Sequence, residues 1–251
     1  MTRSKKLTYL LLLFIAVSYS TYAQETKASV KKDWSKINLT NRPKDHLMFQ
    51  LGYLNWVQTP DSIVTSGLSR SFNFYFSFDF PFKTDPRWSV GIGVGAGTDH
   101  MFFDKSVKRD LNIINNREFR FAKNTGVDTA NVYKSMKLQT AYLEAPVELR
   151  FMLNPENPNK SWKFALGVKV GTLVSAVDKT KFERDGFGNV QFTRKERSRQ
   201  HFNSLRFAPT ARIGYGNIGL FAQYQLNDFI KENQGPNLIR PFTIGFVLTG
   251  L

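Results

Sequence analysis

The chain has no cysteine, which excludes a disulfide scaffold, a thiolate metal site and the lipid-bearing cysteine of a lipoprotein anchor. Histidine is scarce, with His46, His100 and His201 far apart in sequence, so no spacing suggests a ligand pair or a catalytic dyad. Beyond residue 17 there is no apolar run near the 18 residues that a membrane helix needs. Mean hydropathy is modest, −0.33, which argues against a helical membrane protein. It does not argue against a membrane barrel, where only every second strand residue must be apolar. Acids are also few: 20 Asp and Glu stand against 35 Lys and Arg, a formal charge of +15. Such a surplus ordinarily points to nucleic acid.

An exported chain rarely meets nucleic acid, and the first residues look like an export signal. Arg3, Lys5 and Lys6 precede an apolar run over 7–17, and Thr21-Tyr22-Ala23 places small residues at a cleavage site. We expect a signal peptide over 1–23, cleaved after Ala23. The mature chain then keeps a charge of +12, and phosphate-bearing lipid becomes the natural acidic surface. Residues 24–45 are polar and basic and read as a periplasmic tail before the first strand.

The strongest local pattern is 68–82, LSRSFNFYFSFDFPF, with Phe at every even position from Phe72 to Phe82. Period two is the signature of a β-strand. One face is wholly aromatic, and the other is mostly polar. Similar alternation recurs and predicts eight strands, over 46–58, 68–82, 88–103, 138–153, 162–176, 204–215, 218–226 and 240–251. Connections after the odd strands are longer than those after the even ones. Short turns at one end and long loops at the other are the habit of outer-membrane barrels, and an even strand count puts both termini on the periplasmic side. A secreted lipocalin-like barrel would need its large apolar residues inside. Here Gly, Arg, Glu and Lys share one face, and they cannot make a soluble core. The expected fold is all-β, an eight-stranded antiparallel up-and-down transmembrane β-barrel over 46–251.

Gly91-Ile92-Gly93-Val94-Gly95-Ala96 matches a dinucleotide fingerprint, but that fingerprint needs a turn opening a helix. Alternation runs straight through it, so the glycines read as space inside the barrel, with Tyr75, Tyr142 and Arg150 lying across them. No cofactor is expected. Arg184-Asp185-Gly186-Phe187-Gly188-Asn189 lacks the carboxylates of a calcium loop and reads as a hairpin tip. Ser106 is near His100, yet nothing demands nucleophilic catalysis, so no enzyme and no metal site are expected.

The inner faces collect Asp79, Glu144, Glu148, Arg150, Lys163, Lys169, Arg206 and Arg212. Eight strands leave an interior just filled by side chains, and unpaired charge there is expensive. These residues therefore read as a lumen charge network, with Lys163 toward the periplasm and Lys169 nearer Glu144 or Glu148. The two longest loops are basic. Residues 104–137 hold eight Lys and Arg against four acids, and 177–203 hold seven against four. Arg194, Lys195, Arg197 and Arg199 are the candidates there for contact with the phosphates of outer-leaflet lipopolysaccharide.

The run Tyr142-Leu143-Glu144-Ala145-Pro146-Val147-Glu148-Leu149-Arg150-Phe151, with the leader and the closing amphipathic strand, resembles the PorT-like outer-membrane β-barrel family. The chain departs from barrel-assembly signals by ending in Leu251, with Phe242 and Phe246 as substitutes. The resemblance implies a Gram-negative envelope protein without an assigned activity, in some members an accessory of type IX secretion with a protein partner. It carries no catalytic residue. The expected role is structural or accessory in the outer membrane, with outer-membrane lipid as partner. A narrow anion-preferring pore is the alternative from another class, suggested by the glycine rows and the positive charge.

Overall fold

The structure is a computed structural model and describes residues 47–61, 63–67, 69–104, 107–109, 119, 121–123, 132–184, 193–236 and 238–250. The expected leader, its cleavage point, the 24–45 tail, Ser106 and the 185–189 hairpin tip lie outside them.

The strands are β1 (Leu47–Val57), β2 (Arg70–Pro81), β3 (Trp88–Phe102), β4 (Val107–Arg109), β5 (Phe121–Lys123) and β6 (Val132–Met152). They continue as β7 (Trp162–Arg184), β8 (Thr193–Arg197), β9 (Leu205–Tyr215), β10 (Ile218–Tyr224) and β11 (Arg240–Thr249). Eight of them pair antiparallel in the cyclic order β1-β2-β3-β6-β7-β9-β10-β11, and β11 closes on β1 from Met48↔Thr249 to Val57↔Arg240. Closure leaves no open edge in the wall these eight form, the condition for crossing lipid. These eight are the strands read from alternation.

The lateral surface inverts the pattern of a soluble protein. Leu166 is 68% and Phe246 66% exposed, whereas Glu144 and Arg206 are 2% exposed. The even-numbered Phe side chains of β2 point outward, and Ser71, Asn73, Tyr75 and Ser77 point in. At the short-turn end aromatic rings form a rim: Trp88 on Phe151 (4.7 Å between centroids) and Trp162 on Tyr215 (5.6 Å). Rings with one apolar and one wet end favour that level of a bilayer.

Three features go beyond the expected strands. β6 and β7 run on past 138 and 176 as a long hairpin, and β8 returns along β7 from Val177↔Arg197 to Lys181↔Thr193. The short hairpin β4–β5 lies in the connection between β3 and β6. A register shift sets Ala141 against Ser175 but Tyr142 against Leu173. This β-bulge reverses the side-chain alternation of β7. Below it Lys169, Gly171 and Leu173 face the lumen; above it Ala176, Asp178 and Thr180 do.

Candidate functional site

The lumen is layered. At the long-loop end, Leu54, Trp56, Met101, Phe103, Phe202 and Phe229 belong to one apolar cluster. Trp56 lies 5.3 Å from the ring centroids of both Phe103 and Phe229. This aromatic cap was not among the expectations. Its signal is that strand ends such as Leu54-Asn55-Trp56 place large apolar residues on the inner face as well.

Beneath the cap sits Arg206. Its Nη2 donates to Asp99 Oδ2, its Nη1 to Glu144 Oε1 at 3.0 Å and its Nε to Gln225 Oε1 at 3.1 Å. Its guanidinium also lies 3.8 Å from the centroid of the Tyr142 ring. Two carboxylates and a ring face thus surround one delocalised cation, the arrangement for which arginine is suited.

The next layer corrects an expectation. The sequence pattern puts Lys169 near Glu144 or Glu148. The strand register does bring it opposite Pro146, midway between them. Its Nζ instead reaches across the lumen to Gln50 Oε1 (3.0 Å), Tyr75 Oη (2.8 Å) and Gln223 Oε1 (2.5 Å). Tyr75 in turn donates to Glu144 Oε2. Lys169 therefore meets Glu144 through a phenol. Strand pairing fixes neighbouring backbones, but a lysine is long enough to span a narrow barrel.

Lower down, Glu148 is held by Arg212, at 3.0 and 2.5 Å, and by Arg150 Nε at 3.1 Å. Arg150 Nη1 lies 3.6 Å from Asp79. The glycine row of β3 makes room for this packing. A Cβ at Gly91 would meet the Arg150 guanidinium, and one at Gly95 the Tyr75 ring. At Gly97, which pairs with Tyr142 on β6 as expected, it would meet Asn73 Oδ1 at 2.7 Å and Glu144 Oε2 at 3.0 Å. At the short-turn mouth a small cavity of about 30 Å³ is lined by Asp79, Arg150, Lys163 and Arg212 among others. The expected network thus falls into separate layers, with Lys163 at the mouth. Among the described residues no group of His, Asp and Glu is arranged to hold a metal ion.

Residues 16–231 match the family described as outer membrane protein beta-barrel domain. The chain belongs to that family. As an outer-membrane barrel it resides in the bacterial outer membrane; in barrels of this kind the short turns are periplasmic and the long connections external. Among solved structures it is similar to Ail, the attachment invasion locus protein of Yersinia pestis, crystallised with the heparin analogue sucrose octasulfate. Identity is 13% over 81% of this chain and 97% of that one, with a TM-score of 0.29. Comparison with curated proteins gives no match.

On the external side of this outer-membrane barrel the four expected phosphate contacts separate. Lys195 and Arg197 pair across from Lys179 and Val177, on the outward face of the sheet. Arg194 falls on the opposite face, 3.7 Å from Glu196. Arg199 donates from Nη1 to the Leu173 carbonyl at 3.1 Å. The four therefore do not form one cluster. His100 Nδ1 lies 2.7 Å from Gln139 Nε2, and His201 is buried beside Phe119.

Proposed function

We propose that this outer-membrane barrel is a non-conducting, non-catalytic wall protein with a structural or accessory role in the envelope. The observation that carries the reading is the Arg206 layer. A fully buried guanidinium bonded to Asp99, Glu144 and Gln225, beneath an aromatic cap, fills the lumen with fixed contacts. An ion would have to break several charge-assisted bonds at once to pass. The engagement of His100 with Gln139 and the burial of His201 support the absence of a catalytic role.

Purified, folded protein in planar bilayers should give no discrete current steps. Reproducible ion-selective steps would replace this reading with the pore. The finer proposals are cleavage after Ala23 and membership of the PorT-like group, with an accessory part in type IX secretion. They rest on the leader and on the Tyr142–Phe151 run. Unchanged cargo export after deletion of the gene would remove the secretion role and leave the wall protein.

A further inference from the structure

We propose that the outer wall of the barrel, just above its lipid-facing band, binds the phosphates of lipid A in the outer leaflet through Arg70, Lys137, Lys179, Lys181, Lys195 and Arg197. The proposal rests on the outer-membrane reading and adds a partner chemistry and a site to it.

Strand register assembles these residues from β2, β6, β7 and β8, with β3 between the first two. One row around the wall runs Arg70↔His100↔Gln139↔Val177↔Arg197. The next row outward runs Phe102↔Lys137↔Lys179↔Lys195, and the next Ser135↔Lys181↔Thr193. Paired residues share a face, and adjacent strands are about 4.8 Å apart. Three lysines therefore stand side by side in one row. Like charges directly opposite each other destabilise a sheet. Lys137 is electrostatically opposed by Lys179, Arg70 and Lys181.

The nearby carboxylates Asp99, Asp178 and Glu196 occupy the alternate positions that face inward. The bulge at Val174–Ser175 creates this separation. Without it the alternation of β7 would send Asp178 and Thr180 outward and Lys179 and Lys181 into the lumen.

The face is shaped as well as charged. Phe102, Ser135, Lys137, Lys179 and Lys181 line a groove of about 120 Å³. Lys137 Nζ and the Arg70 guanidinium lie 5.4 and 5.7 Å from the Phe102 ring centroid, so one ring props two cations. Its position selects the occupant. The row beneath the lowest cations is Phe72↔Thr98↔Ala141, and Phe72 and Val174 are exposed on the lipid-facing wall. Two residues of strand separate the rows, about 7 Å. That is where acyl chains give way to headgroups, and at the external end the phosphate-bearing headgroup is lipid A. Lysine is a point-charge phosphate binder, and several at one level suit a headgroup with more than one phosphate.

The test uses full-length protein folded in detergent, its fold checked by gel heat-modifiability. Native mass spectrometry follows titration with bis-phosphorylated lipid A and with lipid A stripped of phosphate. Wild type should prefer the phosphorylated form. Lys137→Gln/Lys179→Gln/Lys181→Gln should weaken its binding by about tenfold or more, while Arg194→Gln on the opposite face should not. Equal binding of the two lipids, or unchanged binding by the triple variant, would overturn the site. Full displacement by excess inorganic phosphate would also overturn it, leaving a site for free anions only. Failure of the outer-membrane reading would show separately, as release of the protein from membranes by carbonate.

Discussion

Replacing Arg206 by methionine probes the sealed lumen most directly. The substitution keeps an unbranched apolar stem beside Tyr142 but removes the cation between Asp99 and Glu144. Both carboxylates are buried, at 5% and 2% exposure. Glu144 keeps the Tyr75 hydroxyl as donor, which lessens the loss. Removing one partner of a buried ion pair costs about 3–5 kcal/mol, chiefly because the other charge is stranded. The cost is therefore assigned to the carboxylates left behind. Adding Asp99→Asn and Glu144→Gln to Arg206→Met should recover a good part of it. Urea unfolding in detergent, followed by tryptophan fluorescence and by the heat shift on a gel, measures both variants. A loss below about 1 kcal/mol for Arg206→Met, in the range of exposed pairs, would mean that water already reaches this layer. So would a triple variant worse than the single one. Either result would refute the dry plug and with it the main argument against conduction.

Glu148→Gln and Arg212→Met should be coupled by about 0.5–3 kcal/mol in a double-mutant cycle, whereas Glu148→Gln with Lys169→Met should be nearer additive. The reverse order would put Lys169 against Glu148, one of the two partners its strand position suggests. Gly95→Val should abolish the heat-modifiable folded form, because a Cβ there meets the Phe74 carbonyl and the Tyr75 ring; Gly67→Ala, with open space around it, should not. A folded yield equal to wild type for Gly95→Val would refute the tight packing of β2 on β3. In the periplasmic turn, Arg87 bonded to Asp85 lowers that carboxyl from its ordinary 3.8. Arg87→Gln should bring the titration, read by carbonyl NMR, back up, and an unmoved midpoint would show that the pair does not form in solution.

The barrel was legible because period-two alternation is a local property, and eight alternating stretches with lopsided connections allow few other folds. The inward direction of Glu144, Glu148, Arg150 and Arg206 followed from the same parity. What parity could not give was reach. Lys169 crosses the lumen to Gln50 and Gln223, which a scheme of adjacent strands cannot anticipate. Nor could it give the bulge. One extra residue near Val174 leaves no mark in composition, yet it exchanges the inner and outer sets of the upper part of β7. By composition alone the densest run of charge, Arg194 to Arg199, looks like the phosphate contact. Register divides that run and gathers Lys137, Lys179 and Lys181, because β6 and β7 extend beyond the alternation that marks them in the sequence.

The distribution of charge links the interior to the surface. Between the cap and the periplasmic mouth, Arg150, Lys163, Lys169, Arg206 and Arg212 face Asp79, Asp99, Glu144 and Glu148. Counted formally, five cations meet four carboxylates, a surplus of one, while the sequence as a whole carries +15. The basic character is thus almost entirely a property of the parts outside the lumen. A selective pore would concentrate the field of one sign along its axis; here the axis is nearly neutral, and Arg206, Arg212 and Arg150 are ion-paired to its carboxylates while Lys169 bonds to Gln50, Tyr75 and Gln223. On the outer wall the opposite holds, with rows of cations while Asp99, Asp178 and Glu196 take the alternate, inward positions. Uncompensated charge lowers its free energy by meeting an anion, and at the level of those rows the available anions are headgroup phosphates. The same alternation that seals the lumen therefore directs binding to the lipid-facing side.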